Sequence, residues 1–155
     1  MGRKSNMSEF LETTVDKFTF RVATDRLYAE GHLWVRWEDG LARIGLSDYI
    51  QQSSGDVAFA EPKPMGTELA MGDDLGSIET IKVNLVLPSP INGVIREINP
   101  ALEDAPELVN QDPYGEGWLV LVEAADWEAE RAKLLDPEGY FEMMKAEAEE
   151  QSSRR

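Results

Sequence analysis

"GSIETIKVNLVLPSPINGVI", residues 76–95, carries one lysine, Lys82, between β-type apolar runs. "LGSIET" (75–80) and "VNLVL" (83–87) have the composition and length of short strands, and the two prolines and Asn-Gly of "PSPING" break the pattern before "GVIREI" (93–98) resumes it. The segment between the first two runs is too short for a long loop. The spacing therefore places Lys82 at or beside a hairpin tip, with its amine exposed. A lysine in such a turn is ordinarily a solubility device, and only its surroundings argue for more.

Outward from this hairpin, further short runs recur at "LWVRW" (33–37), "LARIGL" (41–46), "VAFA" (57–60) and "WLVLVE" (118–123), as in a sandwich or barrel of short strands. "EDG" (38–40) joins two of them with the Asp-Gly of a tight hairpin, and "ING" (91–93) reads as another tight turn. Ser47 caps a short helix that Gly55 stops. Asp126 opens a helix through Leu135, and Asp136-Pro137 supplies an N-cap and first-turn proline for a second one. The first 26 residues read as a poorly determined extension in which "FTFRV" (18–22) alternates like an edge strand. After Met144, "KAEAEEQSSRR" is charged and small, and is expected to fray.

Thirty acidic against fifteen basic residues give a formal charge of −15 over 155 residues, enough chain for one domain with a sizeable core. That charge, with no basic patch, argues against nucleic acid or anionic membrane partners; it suits steering towards basic docking surfaces and equally a salty cytoplasm. With no cysteine, the chain has no thiol nucleophile of its own, so thiol chemistry has to arrive on a cofactor. A single histidine, His32, leaves hydrolytic and metal constellations without their commonest member. Residues 1–26 hold no apolar run like a signal peptide, and "MGRKSN" puts Asn6 where myristoylation requires Ser or Thr, so a cytoplasmic protein is expected.

The stretches "HLWVR" (32–36), "IGLSDYIQQSSGDVAFAEPKPMGTEL" (44–69), "GSIETIKVN" (76–84), "PSPINGVIREINPAL" (88–102) and "EDAPELVNQDPYGEGWLV" (103–120) resemble the H protein of the glycine cleavage system, a lipoyl carrier. The resemblance runs from about Leu27 to Ala146. It implies a mainly β barrel-sandwich hybrid with short helices and a helical C-terminal segment. The corresponding division is an extension (1–26), a lipoyl-carrier domain (27–146) and a charged tail (147–155). In the family's pattern of glutamate, small residue, apolar residue and lysine, Glu79, Thr80, Ile81 and Lys82 fall in place, which implies covalent lipoate on Lys82 in a non-catalytic carrier. Lysine stem and acyl chain together reach on the order of 12 to 15 Å, so the dithiolane visits several enzymes without release of cargo. Ile81 and Val83 replace the methionines that flank the lysine of biotinyl domains.

The resemblance also implies a serine, a glutamate and an aspartate that engage the amine of an aminomethyl cargo. This chain has Gly31, Leu33 and Val86 there. An ammonium docked among them would lack a counter-charge, at a cost of several kcal/mol. In this respect the chain looks like the lipoate-binding proteins of the heterodisulfide-reductase-like pathway of sulfur oxidation. The leading expectation is accordingly an arm that shuttles a sulfur-bound intermediate and electrons between such a complex and other sulfur-transfer proteins. The alternatives are an aminomethyl carrier serving glycine decarboxylase, aminomethyltransferase and dihydrolipoamide dehydrogenase, and an unmodified interaction module. Either carrier needs a lipoate-protein ligase or lipoyl assembly enzymes.

Gly31, His32, Leu33 and Val86 are thus candidates for an arm cleft, with His32 read chiefly as structural. Glu79 either guides the ligase or solubilises its strand, and Asn84 either bonds the arm or shapes the turn. Trp34, Trp37 and Trp118 read as packing aromatics, and the Pro-Tyr-Gly-Glu-Gly-Trp loop (113–118) as a tight return before a strand. Ten acidic and three basic residues between Glu123 and Glu150 describe a solvated helical face or a docking one.

Overall fold

The computed structural model describes residues 9–154; the "MGRKSN" start, including Asn6, lies outside the described residues. Two sheets enclose the main core. The larger has the order β3-β4-β5-β11-β10-β7, built from β3 (Leu27–Tyr28), β4 (Leu33–Glu38), β5 (Leu41–Leu46), β7 (Glu68–Leu69), β10 (Gly93–Ile98) and β11 (Val120–Ala124). The smaller, β6-β8-β9, consists of β6 (Val57–Pro62), β8 (Asp74–Thr80) and β9 (Asn84–Pro88). Leu33, Val35 and Ile44 from the first meet Leu75, Ile78 and Leu87 from the second, all nearly inaccessible to solvent. Alternation along each strand turns these residues inward and leaves their neighbours outside. The mainly β sandwich-type fold is thus as the sequence implies.

The tight connection at "EDG" is also present: β4 and β5 pair from Leu33↔Leu46 to Glu38↔Leu41, and Asp39 and Gly40 adopt φ of 48° and 88°. Two consecutive left-handed residues match the right-handed twist of the strands they join. Ser47 caps α1 (Asp48–Ser54) by accepting a hydrogen bond from the Ile50 N–H, and Gly55 ends it at φ 91°. Gly45 is required for packing, because a Cβ there would lie 2.6 Å from Cζ2 of Trp34.

"FTFRV" (18–22) is a strand as expected, but otherwise both ends of the chain are more ordered than the sequence alone implies. The described part of the N-terminal extension forms a hairpin of β1 (Phe10–Val15) and β2 (Phe18–Ala23) packed on the rest of the protein. The 147–155 segment does not begin a frayed tail, since helix α4 runs Pro137–Ser153. The physical reason is a second apolar cluster on the outer side of the larger sheet. Phe20 and Val22 of β2, Tyr28, Trp34 and Tyr49 bury against Tyr140, Met144 and Ala148, which share one face of α4 at four-residue spacing. Tyr28 and Tyr140 stack with ring centroids 4.3 Å apart. Before α4, the expected helix through Leu135 shortens to α3 (Trp127–Arg131). Leu135 instead exchanges both backbone hydrogen bonds with Tyr28, at 2.7 and 2.9 Å, which pulls the chain out of helical geometry.

The buried face of α4 leads to a first prediction. Met144→Ala removes a fully buried side chain between hairpin and sheet, and should cost about 2–5 kcal/mol of unfolding free energy, read as a lower urea midpoint.

Candidate functional site

Lys82 stands in the turn between β8 and β9, where the strands close with Glu79 opposite Asn84. Thr80 makes this turn rigid. Its backbone N–H donates to Val83 O at 2.9 Å, and its Oγ1 accepts from the backbone N–H groups of Lys82 (3.0 Å) and Val83 (2.9 Å) while donating to Val83 O (3.0 Å). One buried hydroxyl therefore organises the whole tip, a role that the small-residue position of the motif did not disclose. Residues 81–84 are exposed, and Ile81 is 87 % accessible. With Phe59, Val83 and Val86, it leaves large apolar side chains in solvent on the small sheet and its hairpin tip.

The Lys82 side chain does not extend freely into water. Its stem passes over Gly55, where an added Cβ would lie 3.8 Å from Lys82 Cβ and Cδ, and Nζ donates to Ser53 O at 3.0 Å. Ser53 lies in the last turn of α1, whose carbonyls have no intrahelical partners. Asn110 fixes the same bend from below: its Oδ1 accepts from the Val57 N–H at 2.8 Å, and its Nδ2 donates to Gly55 O at 3.0 Å and Gln51 Oε1 at 3.1 Å.

Beyond the Lys82 amine lies a groove of about 310 Å³. Phe18 and Phe20 of β2, Tyr49 and Ile50 of α1, and Ala148 of α4 supply its apolar lining. Gln52, Ser53, Glu147, Gln151 and Ser152 add polar groups. None of Gly31, Leu33 and Val86 lines it. Leu33 belongs to the main core, Val86 is exposed opposite Ser77, and Gly31 sits close to Pro88 at the far end of β9. The groove draws on α1 and on the two terminal segments, which a reading of local motifs could not bring together.

His32 is buried behind this groove. Its Nδ1 lies 2.8 Å from the Tyr140 hydroxyl and its Nε2 3.1 Å from Glu147 Oε1, and the Tyr140 hydroxyl is also 2.8 Å from Ser47 Oγ. The histidine ties α4 to the start of β4 and serves the scaffold. Burial lowers its pKa below the ordinary imidazole value, with the Glu147 carboxylate partly opposing that shift. Nearby, the Tyr114 hydroxyl donates to Arg21 O at 2.7 Å and accepts from the Asp48 N–H at 3.2 Å, joining the "PYGEGW" loop to β2 and α1. Burial pushes its pKa up to about 12, so it stays a neutral donor.

Among the described residues no cluster of His, Cys, Asp and Glu is arranged to hold a metal, and no helix is long and apolar enough to cross a membrane. A rigid exposed turn that presents one lysine beside a groove is an arrangement suited to carrying an attached group. Comparison with known proteins agrees. The family described as Glycine cleavage H-protein matches residues 26–147. The glycine cleavage system H protein of Oceanobacillus iheyensis is 43 % identical over 116 residues, covering 75 % of this chain and 91 % of the relative. That of Alteromonas mediterranea is 45 % identical over 120 residues, covering 77 % and 92 %. The crystal structure of a glycine cleavage system H protein from Mycobacterium marinum superposes with a TM-score of 0.69 at 30 % identity, covering 76 % of this chain and 94 % of that one. The chain belongs to the glycine cleavage H-protein family, whose members are non-catalytic carriers with lipoate covalently attached to a lysine.

Two predictions concern this scaffold. Thr80→Val removes the hydroxyl that closes the tip, so amide hydrogen exchange at Lys82 and Val83 should accelerate and stability should fall by about 1 kcal/mol. His32 favours its neutral form in the fold. Between the ordinary value near 6.5 and its lowered native value the unfolded chain binds the extra proton, so its contribution is lost as pH falls through 6.5. The melting temperature should therefore drop more between pH 7.5 and pH 5 in the native protein than in His32→Gln.

Proposed function

We propose that Lys82 carries the lipoyl group and that the protein is the H component of a glycine cleavage system. In that role it would receive an aminomethyl group from a glycine decarboxylase, present it to an aminomethyltransferase, and be reoxidised by a dihydrolipoamide dehydrogenase. The observation that carries the reading is the Glu79-Thr80-Ile81-Lys82 tip itself: an exposed lysine on a turn held by Thr80, in a chain whose similar proteins are named glycine cleavage H proteins. The lipoyl dithiol supplies the sulfur chemistry that a chain without cysteine lacks. Ile81 and Glu79 are the side chains best placed to meet the lipoate-protein ligase or lipoyl assembly enzymes, since both are exposed beside the lysine.

A carboxylate is available for a cationic cargo despite the loss of polarity at Gly31, Leu33 and Val86. Glu147 lines the groove beside Lys82, and its side chain is 40 % accessible while Oε1 faces His32. The second reading is the sulfur carrier working with a heterodisulfide-reductase-like complex and other sulfur-transfer proteins. It is favoured by those same three replacements, which remove the groups the resemblance assigns to amine recognition.

Intact-mass analysis of protein from its native cell should find a lipoyl adduct that Lys82→Arg abolishes. The lipoylated protein should then accept aminomethyl groups from a glycine decarboxylase. An arm that is lipoylated, refuses this transfer and instead returns with added sulfur from cells grown on reduced sulfur compounds would establish the second reading.

A further inference from the structure

We infer that Asn92 is a modification site, a spontaneous deamidation site that the carboxylate of Glu130 on α3 holds shut. Asn92-Gly93 is the single Asn-Gly pair of the chain, and its chemistry is independent of what Lys82 carries. In such a pair the backbone nitrogen of the glycine, unshielded by a side chain, attacks Cγ of the asparagine. A C–N bond forms, ammonia leaves, and water opens the resulting succinimide to aspartate or isoaspartate, with no oxidant or reductant. The fold can discard neither residue. A Cβ on Gly93 would collide with Glu123 O and Val122 Cγ1, and Oδ1 of Asn92 accepts from the Met71 N–H at 2.8 Å.

Glu130 supplies the guard, and it is a buried residue, only 4 % exposed. Its Oε1 accepts from the Asn92 backbone N–H at 3.0 Å, and both carboxylate oxygens accept from Nδ2 at 3.1 Å. With the Met71 bond, both polar atoms of the Asn92 side chain have fixed partners. Attack requires the carboxamide to swing over the Gly93 nitrogen, so these bonds have to break first, and hydrogen bonds to a charged group are the stronger kind. Charge acts in the same direction. The attacking nitrogen sheds its proton and the tetrahedral intermediate gathers negative charge on Oδ1, which a buried carboxylate beside it opposes. Gly93 itself is pinned in β10, opposite Leu69 of β7 and Ala124 of β11. Water is at hand, because Asn92 and Gly93 line an open cleft of about 320 Å³. Geometry and charge therefore protect this pair, and exclusion of solvent does not.

Once deamidation occurs, the latch becomes a repulsion. The carboxylate formed at position 92 has no proton to donate and faces the Glu130 carboxylate from the place that Nδ2 holds at 3.1 Å. α3 is a helix of five residues and starts with Trp127, whose ring stacks on Trp37 with centroids 4.7 Å apart. Loss of the Asn92 bonds loosens α3 and uncovers Trp37, so a change of one side-chain atom at the start of β10 is read out on a different element.

The test ages the full chain in neutral buffer and follows position 92 by peptide-mapping mass spectrometry, which resolves amide, succinimide, aspartate and isoaspartate. The native protein should react about a hundredfold more slowly than the end-blocked peptide Ile-Asn-Gly-Val in the same buffer, since two charge-assisted hydrogen bonds have to break before attack. Glu130→Ala should bring the rate close to that of the peptide. Glu130→Gln, which keeps an acceptor and loses the charge, should fall between, and it carries the comparison should the alanine variant fail to fold. Protection of the Ile44 and Ile78 amides, both in the main core, reports folding. Asn92→Asp should speed amide exchange in residues 127–131 and shift tryptophan emission to the red while those core amides stay protected. A native chain that deamidates at the peptide rate overturns the guard. A folded Glu130→Ala or Glu130→Gln as slow as the native protein assigns protection to the strand alone and overturns the role of Glu130. Unchanged exchange at 127–131 in Asn92→Asp overturns the latch on α3.

Discussion

The contact on which the rest depends is that of Tyr140 with the larger sheet. Its ring stacks on Tyr28, and its hydroxyl meets His32 and Ser47 in a region closed to solvent. An aromatic pair of this kind contributes about 0.5–1.5 kcal/mol beyond the burial of its area. The consequence here is positional. Tyr140 sets where α4 lies, and α4 with Tyr49 and Trp34 sets where the N-terminal hairpin can bury Phe20 and Val22. Ser47, which it touches, is also the cap of α1, and the last turn of α1 receives the Lys82 amine.

Function and stability are thus carried by different layers. The main core between the sheets holds β8 and β9 in register, so that Thr80 can close a turn whose outward side chains contribute little burial. Exposure of Ile81, Lys82 and Val83 is tolerable because the turn is secured by four hydrogen bonds through Thr80 and not by packing of those residues. A carrier needs this separation, because its arm must be gripped by several enzymes while the fold stays unchanged. A net charge of −15 favours long-range attraction towards any basic surface and asks nothing of the tip.

Much of this was legible in residues. The alternating runs around Lys82 became β8 and β9, Asp39-Gly40 became the turn of the β4–β5 hairpin, and Ser47 and Asp136 became caps, because each depends on chemistry within a few residues. The groove at the lysine was not legible in the same way. Gly31, Leu33 and Val86 were singled out by comparison of residue types at separate positions, yet Leu33 turns into the core, Val86 turns to solvent, and neither lines the groove at the lysine. The ends of the chain were misjudged for a related reason. "KAEAEE" is polar by composition, and only the four-residue spacing of Tyr140, Met144 and Ala148 carries its burial.

The sequence by itself therefore determined the strands, the tight turn at Asp39-Gly40, the exposed lysine and the family, since these follow from local propensity and from a motif contiguous in the chain. Only the tertiary structure decided what surrounds the lysine. Its neighbours come from residues 15–20, 49–53 and 147–152, which no spacing rule relates. They are brought together by burial of an aromatic cluster that joins distant parts of the chain, as in the stacking of Tyr28 on Tyr140, 112 residues further on.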